Sequence, residues 1–117
     1  MDYVAVRAPG GEPIAKGAVD YTDPRSPGKL WQVATHPALQ SLGIGSALIV
    51  ALEDRIRRRG LTSAWLAVEV SNSRARALYA RLGYKPFAAM TDGWDAQRDD
   101  GSVYWYETDL VLMRRHL

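Results

Sequence analysis

Ile44, Leu48, Leu52 and Ile56 recur every four residues, with Ala47 and Ala51 beside them. That spacing draws one apolar stripe along a helix expected over residues 46–59. Arg57, Arg58 and Arg59 fill its last turn, where cations complement the negative end of the helix dipole, and Gly60 suits the residue that closes a helix. Short apolar runs at 30–35 and 63–70 flank the helix. The second, Ser-Ala-Trp-Leu-Ala-Val-Glu-Val, is apolar on both faces near its middle, the habit of a strand covered by helices. A strand, a helix of about four turns and another strand make a crossover unit, so these two strands are expected to be parallel.

The rest of the chain reads as mostly antiparallel. Strands are expected at 3–7 and 14–19, and the turn-rich stretch Ala-Pro-Gly-Gly-Glu-Pro between them makes a hairpin. Residues 21–29, with Pro24, Pro27 and Gly28, form a loop, and Pro37 stops the strand at 30–35 because it has no N–H to give to a ladder. Asn72 is placed to cap a second helix over 73–82, with Ala75, Leu78, Tyr79 and Leu82 on its inner face and Gly83 at its end. A short strand at 84–89, a polar loop at 90–101 and a long strand at 103–114 follow. The expected fold is a single α/β domain of the α+β type over residues 1–117, with a mixed, mostly antiparallel sheet and a parallel central pair.

Composition narrows the chemistry. With 117 residues, 47% of them apolar, the chain can bury one core and not two. It has no cysteine, which removes disulfides, thiolate metal sites and a cysteine nucleophile. His36 and His116 are too few and too far apart to suggest a metal site, so none is expected. No run approaches the roughly 18 apolar residues of a membrane span and no signal-like segment opens the chain. The expectation is a soluble cytoplasmic protein. A net charge of +2, from 15 basic and 13 acidic residues, is too small an excess to point to nucleic acid. The arginines still cluster, at Arg55, Arg57, Arg58 and Arg59 and again at Arg74, Arg76 and Arg81. They read either as solvated helix faces or as a local field for an anionic ligand.

Gln40-Ser-Leu-Gly-Ile-Gly45 stands between a strand and the start of a helix. Backbone N–H groups there lie at the positive end of a helix, and glycines at 43 and 45 let the main chain approach an anion without a Cβ in the way. A P-loop would need G-x-x-x-x-G-K-[ST], which is missing, and Leu48 stands where the dinucleotide fingerprint has its third glycine. Nor is there a G-x-S-x-G to make Ser46 a nucleophile.

Taken with a second segment, the loop becomes specific. Gln40-x-x-Gly43-x-Gly45, followed by Asn72-x-x-Ala75-x-x-Leu78-Tyr79-x-x-x-Gly83-Tyr84, resembles the GNAT family of N-acetyltransferases. The first pattern is similar to that family's cofactor motif, Q/R-x-x-G-x-G/A, and the second to its N-x-x-A-x-x-L-Y-x-x-x-G-F/Y signature. Order, separation and the strand–loop–helix–strand–helix context match over residues 30–87. The resemblance implies acetyl-CoA as cosubstrate, lying between the strands at 30–35 and 63–70, with main-chain groups of Val33 and Thr35 pairing with the pantetheine arm. It implies that the N–H groups of Leu42, Gly43, Ile44, Gly45 and Ser46, helped by Gln40, hold the pyrophosphate. Asn72 would reach the pantetheine amide and Tyr79 the thioester sulfur. Residues 72 and 79 are two helical turns apart and so share a face.

The implied reaction is attack of a primary amine, on a small molecule or a peptide, upon the thioester, with a thiolate leaving. Tyr79 is the candidate general acid or hydrogen-bond donor to that thiolate, with a core aromatic beside Leu78 and Leu82 as the alternative. Glu69 is the candidate general base, or else an outward-facing strand residue. His36 is a second candidate base, or a turn histidine, and water is a third route for the proton. Trp94, Tyr104, Trp105 and Tyr106 are candidate walls for the acceptor, or else core or subunit contacts.

Members of the family usually open with a strand and two helices ahead of the hairpin that here occupies residues 3–19, so those elements are expected to be shortened or absent. That leaves a second class of function open, a CoA-binding module or truncated subunit with little catalysis of its own. It also motivates an expected homodimer, since two helices cannot cover both faces of the sheet.

Overall fold

The computed structural model describes residues 1–35 and 43–117, with the side chains of Gln32, Ala34 and Thr35 left out of the description. In chain order the described elements are β1 (Asp2–Arg7), β2 (Pro13–Asp20), β3 (Lys29–Thr35), α1 (Ile44–Arg58), β4 (Ser63–Glu69), α2 (Ser73–Arg81), β5 (Lys85–Gln97) and β6 (Val103–His116). The class is α+β, with a mixed sheet. Two compact units divide the chain, one of Met1–Leu66 with Arg114–Leu117 and one of Ala67–Met113. β4 and β6 give residues to both.

In the first unit the strand order is β1-β2-β3-β4. β1 and β2 form the expected hairpin, with Asp2 opposite Val19 and Val6 opposite Ala15. β2 pairs antiparallel with β3, Val19 opposite Leu30 and Ala15 opposite Thr35, and the register shifts between Lys16 and Ala18. β3 and β4 are parallel, with Lys29 opposite Trp65, so the crossover is as its periodicity requires. α1 packs on β1, β2 and β3. Its stripe, Leu48, Ile49, Leu52 and Ile56, is fully buried with Ala18, Val19 and Ala64. Each such Leu or Ile contributes about 1.5–3 kcal/mol of burial. Gly17 permits the approach, since a Cβ there would stand 2.9 Å from Leu52 Cδ1 and 3.3 Å from Val33 Cγ2.

α1 begins two residues before the expected start, because Gly43, at φ 77°, turns the chain into the helix and Ile44 and Gly45 already belong to it. Its other end closes as expected on a left-handed glycine. Gly60 has φ 77°, its N–H donates to the Arg57 carbonyl at 2.9 Å, and the Leu61 N–H donates to Ile56 at 3.3 Å. Before β3 the chain presses against the start of β4. The Trp65 N–H donates to the Gly28 carbonyl at 3.0 Å and its indole N–H to the Ser26 carbonyl at 2.9 Å. A Cβ on Gly28 would collide with the carbonyl oxygen of Ser63.

In the second unit the order is β4-β6-β5. The Val70 N–H donates to the Asp109 carbonyl at 2.9 Å, continuing the β4–β6 pairing beyond β4 itself. Gly83, at φ 96°, ends α2, and Tyr84 turns its ring into the interior, 2% exposed. The segment 90–101 is a strand for most of its length, which corrects the polar loop expected there. β5 runs to Gln97, and only a tight turn remains, held by the Arg98 N–H donating to the Ser102 carbonyl at 2.8 Å. Asp92, Gly93 and Asp95 are poor strand formers in isolation. Partners on β6 override that: Thr91 Oγ1 donates to Asp109 Oδ1 at 2.8 Å, Trp94 packs on Tyr106 at 5.0 Å, and the Trp105 ring lies over Gly93, where a Cβ would strike it.

Candidate functional site

α1 opens on bare backbone. Gly43 makes no side-chain cap, no acidic residue stands in the first turn, and the first helical bond runs from the Ala47 N–H to the Gly43 carbonyl at 3.1 Å. By helix geometry the N–H groups of Ile44, Gly45 and Ser46 have no carbonyl to bond within the helix, and they point out of its positive end. This is chemistry for an anion. Val33 turns its side chain towards Gly17. Thr35 pairs with Ala15 through its backbone. Gln40 and Leu42, two of the expected pyrophosphate residues, and His36 lie outside the described residues.

In the second unit Asn72 caps α2 as expected, its Oδ1 accepting the Ala75 N–H at 3.1 Å. That engages its carbonyl oxygen and leaves the amide N–H groups as what it can offer a ligand. Tyr79 is half-buried on the same helix, its ring edge-on to Tyr84 at 6.1 Å, and its carbonyl accepts the Tyr84 N–H at 2.9 Å. Burial pushes the Tyr79 phenol above its ordinary range. The group is therefore a neutral donor at physiological pH and a poorer proton source than a free phenol.

Glu69 ends β4 half-buried, and the hydroxyl of Tyr106 lies 3.3 Å from each of its two oxygens. One phenolic proton shared between two oxygens at that length is a weak tether. A carboxylate has about four lone-pair positions, so most of its accepting capacity stays available. Trp94 leans on Tyr106, their centroids 5.0 Å apart and planes at 49°. Glu69 and Tyr106 were each legible as candidates; their meeting was not, because 37 residues separate them and only the β4–β6 register joins them. Of the other aromatic candidates, Tyr104 lies under the Arg98 guanidinium at 4.4 Å, and Trp105, on the opposite face of β6, stays 60% exposed.

The arginines of α1 divide. Arg57 pairs with Asp54 at 3.1 Å, and Arg59 covers the Tyr21 ring at 3.7 Å and reaches Asp2 at 3.4 Å. Both engagements serve the fold, that of Arg57 within the helix and that of Arg59 across 57 residues to Asp2. Among the described residues no group of three or more His, Asp or Glu is placed to hold a metal, and no helix is long and apolar enough to cross a membrane.

Comparison with known proteins adds to this geometry. The profile of the Acetyltransferase (GNAT) family matches residues 2–84. The ribosomal protein bS18-alanine N-acetyltransferase of Escherichia coli K12 is 42% identical over 55 residues, a match covering 47% of this chain and 37% of that protein. The mycothiol acetyltransferase of Beutenbergia cavernae is 39% identical over 61 residues, covering 52% of this chain and 20% of that protein. The match thus spans well under half the length of either relative. In structure, the Escherichia coli ribosomal-protein-S18-alanine N-acetyltransferase superposes with a TM-score of 0.71 at 26% identity, covering 97% of this chain and 68% of that one.

Proposed function

Because this chain belongs to the GNAT family of acetyltransferases, we propose that it transfers the acetyl group of acetyl-CoA to a primary amine by direct attack on the thioester. The observation that carries this reading is the uncapped, acid-free amino end of α1 on a chain whose α2 is capped by Asn72 and carries Tyr79. The pyrophosphate takes the N–H groups of Leu42, Gly43, Ile44, Gly45 and Ser46 with Gln40. Main-chain groups of Val33 and Thr35 take the pantetheine arm, and the Asn72 amide donates to a pantetheine carbonyl.

Tyr79 donates a hydrogen bond to the thioester sulfur as charge develops there. Full proton transfer to the thiolate is the poorer description. A free phenol has a pKa of about 10 and a thiol about 8.5, so transfer is uphill by about 2 kcal/mol before burial adds to it. Glu69 accepts a proton from the amine. The amine attacks through its lone pair and so reacts in its neutral form. The proton must therefore leave as the C–N bond forms and the nitrogen becomes acidic, while the C–S bond breaks and the thiolate departs.

The same reading includes a cytoplasmic two-fold dimer. Val103 and Trp105 stand two residues apart on one face of β6, 63% and 60% exposed, an apolar surface suited to a second copy.

Thermal unfolding with acetyl-CoA, CoA and longer acyl-CoAs tests the donor. At about 100 times Kd the stabilisation is about 2.7 kcal/mol. Release of CoA on adding an amine tests transfer, and binding without turnover would make the chain a CoA-binding module. No stabilisation by any CoA species would remove the proposal.

A further inference from the structure

We infer that Trp94, Tyr106 and Glu69 form the acceptor subsite and select a primary amine that carries a second positive charge. The inference rests on the acetyl-transfer reading, and it deepens that reading by naming the acceptor class. The relatives carry names as different as ribosomal protein bS18-alanine N-acetyltransferase and mycothiol acetyltransferase, so the acceptor has to be read from this chain's own residues.

Three observations converge, all within the second unit. Glu69 keeps most of its accepting capacity beside a single shared proton from Tyr106, 3.3 Å from each oxygen. The Trp94 and Tyr106 rings, tilted by 49° at 5.0 Å, present aromatic surface next to that carboxylate. The carboxylate meets the reacting amine, and the aromatic faces beside it hold a second, cationic group through the ring quadrupole. Tyr104, two residues from Tyr106 on the same face of β6, already holds a cation this way, with the Arg98 guanidinium 4.4 Å from its ring centre. The third observation is charge. Between Lys85 and Met113 the chain carries Asp92, Asp95, Asp99, Asp100, Glu107 and Asp109 against only Lys85 and Arg98, although the whole chain is +2. The hairpin that bears the aromatic pair thus carries net negative charge in a positive protein, with Glu107 and Asp109 on the face of β6 opposite Tyr106, and its field attracts cations.

In this arrangement Tyr106 is a positioning residue. Its hydroxyl holds Glu69, and Trp94 holds Tyr106. Trp94 is the specificity determinant, 44% exposed and so open to a ligand.

The test compares amines matched in size. 1,4-Diaminobutane is set against 4-aminobutan-1-ol, and alanyl-lysinamide against alanyl-glutamate amide, which separates a small polyamine from a basic peptide end. The expected result is a kcat/KM about tenfold or more higher for the cationic member of at least one pair. Trp94→Ala should bring that ratio close to one, through KM of the cation with little change in kcat, and Trp94→Phe should restore most of it. Tyr106→Phe should lower kcat as well, because Glu69 loses its tether. Equal use of cationic and neutral amines, or a ratio that survives Trp94→Ala, overturns the inference. Tetramethylammonium, which cannot be acylated, separates this from a failure of the transfer reading. Its binding by calorimetry, weakened in Trp94→Ala, supports the subsite even if no amine is acetylated, and absence of binding counts against it.

Discussion

Glu53 on α1 is 1% exposed, and both of its carboxylate oxygens accept from Nη1 of Arg115, 62 residues later, at 2.9 and 3.0 Å. The end of the chain is thereby tied into the first unit, where the Leu117 N–H also donates to the Thr62 carbonyl at 2.7 Å. Removing one partner of a buried pair leaves a charge without its compensation. Arg115→Ala should cost about 3 kcal/mol, towards the low end of such losses because the arginine is 33% exposed and water can enter. Glu53→Gln, which keeps the shape and removes the charge, should cost less. Urea unfolding of the two variants checks the order, and equal costs would mean that loss of the pairing itself, not the carboxylate left buried, sets the penalty.

Gly45 lies in the first turn of α1, among the N–H groups assigned to the pyrophosphate. Gly45→Glu sets a side chain and a negative charge there, and should abolish acetyl-CoA binding by calorimetry while the fold persists. Normal binding by this variant would place the pyrophosphate elsewhere.

Tyr79→Phe should keep acetyl-CoA affinity and lower kcat about 10²-fold or more. A separate signature follows from the burial that raises the phenol. Above the unfolded-state pKa of about 10 the native state holds this proton more tightly than the unfolded chain does. The stabilising contribution is therefore complete below pH ~10 and is lost as pH rises through the folded value. Stability measured by denaturation between pH 8 and 11.5 should fall more steeply for wild type than for Tyr79→Phe at the alkaline end. Parallel curves would mean that the ring is as wet as in the unfolded chain.

The crossover was legible because its signals are local. A four-residue apolar period, Arg57 and Arg58 in the last turn and Gly60 beyond it lie within one stretch, and each is set by helix geometry alone. The Asn72 cap was legible for the same reason. β5 was not, since Asp92, Gly93 and Asp95 deny it a strand's composition and only Thr91, Trp94 and the space over Gly93, met from β6, make it one. The acceptor side suffers likewise. Glu69 and Tyr106 were candidates separately, and their register is a property of the sheet.

That account of β5 makes its own demand. Gly93→Ala places a methyl group against the Trp105 indole and should destabilise the protein by about 1–3 kcal/mol. Trp105 also donates its indole N–H to Glu107 Oε1 at 2.8 Å, so displacement of the ring should change the tryptophan emission. An unchanged spectrum and stability would show that the ring is free to swing aside.

Sedimentation equilibrium at micromolar concentration should give twice the 13.0 kDa chain mass. Val103→Lys, on the face of β6 opposite Tyr106 and 63% exposed, should return the monomer while leaving the secondary structure intact. A well-folded wild-type monomer would remove the dimer from the proposal.

The contact between Gly28 and Ser63 joins points 35 residues apart along the chain. Closing a flexible segment of that length costs about 3 kcal/mol of chain entropy before any burial is gained. α1 lies inside the segment, and the hydrogen bonds of its 15 residues are all between near neighbours in sequence, although packing on the sheet completes its stability. Once helical, they shorten the search by turning a floppy tether into a rod about 22 Å long. The speed at which the parallel strands find their register is thus set within the helix that joins them. Helix-weakening substitutions on its exposed side, such as Ala47→Gly, should slow refolding more than they hasten unfolding.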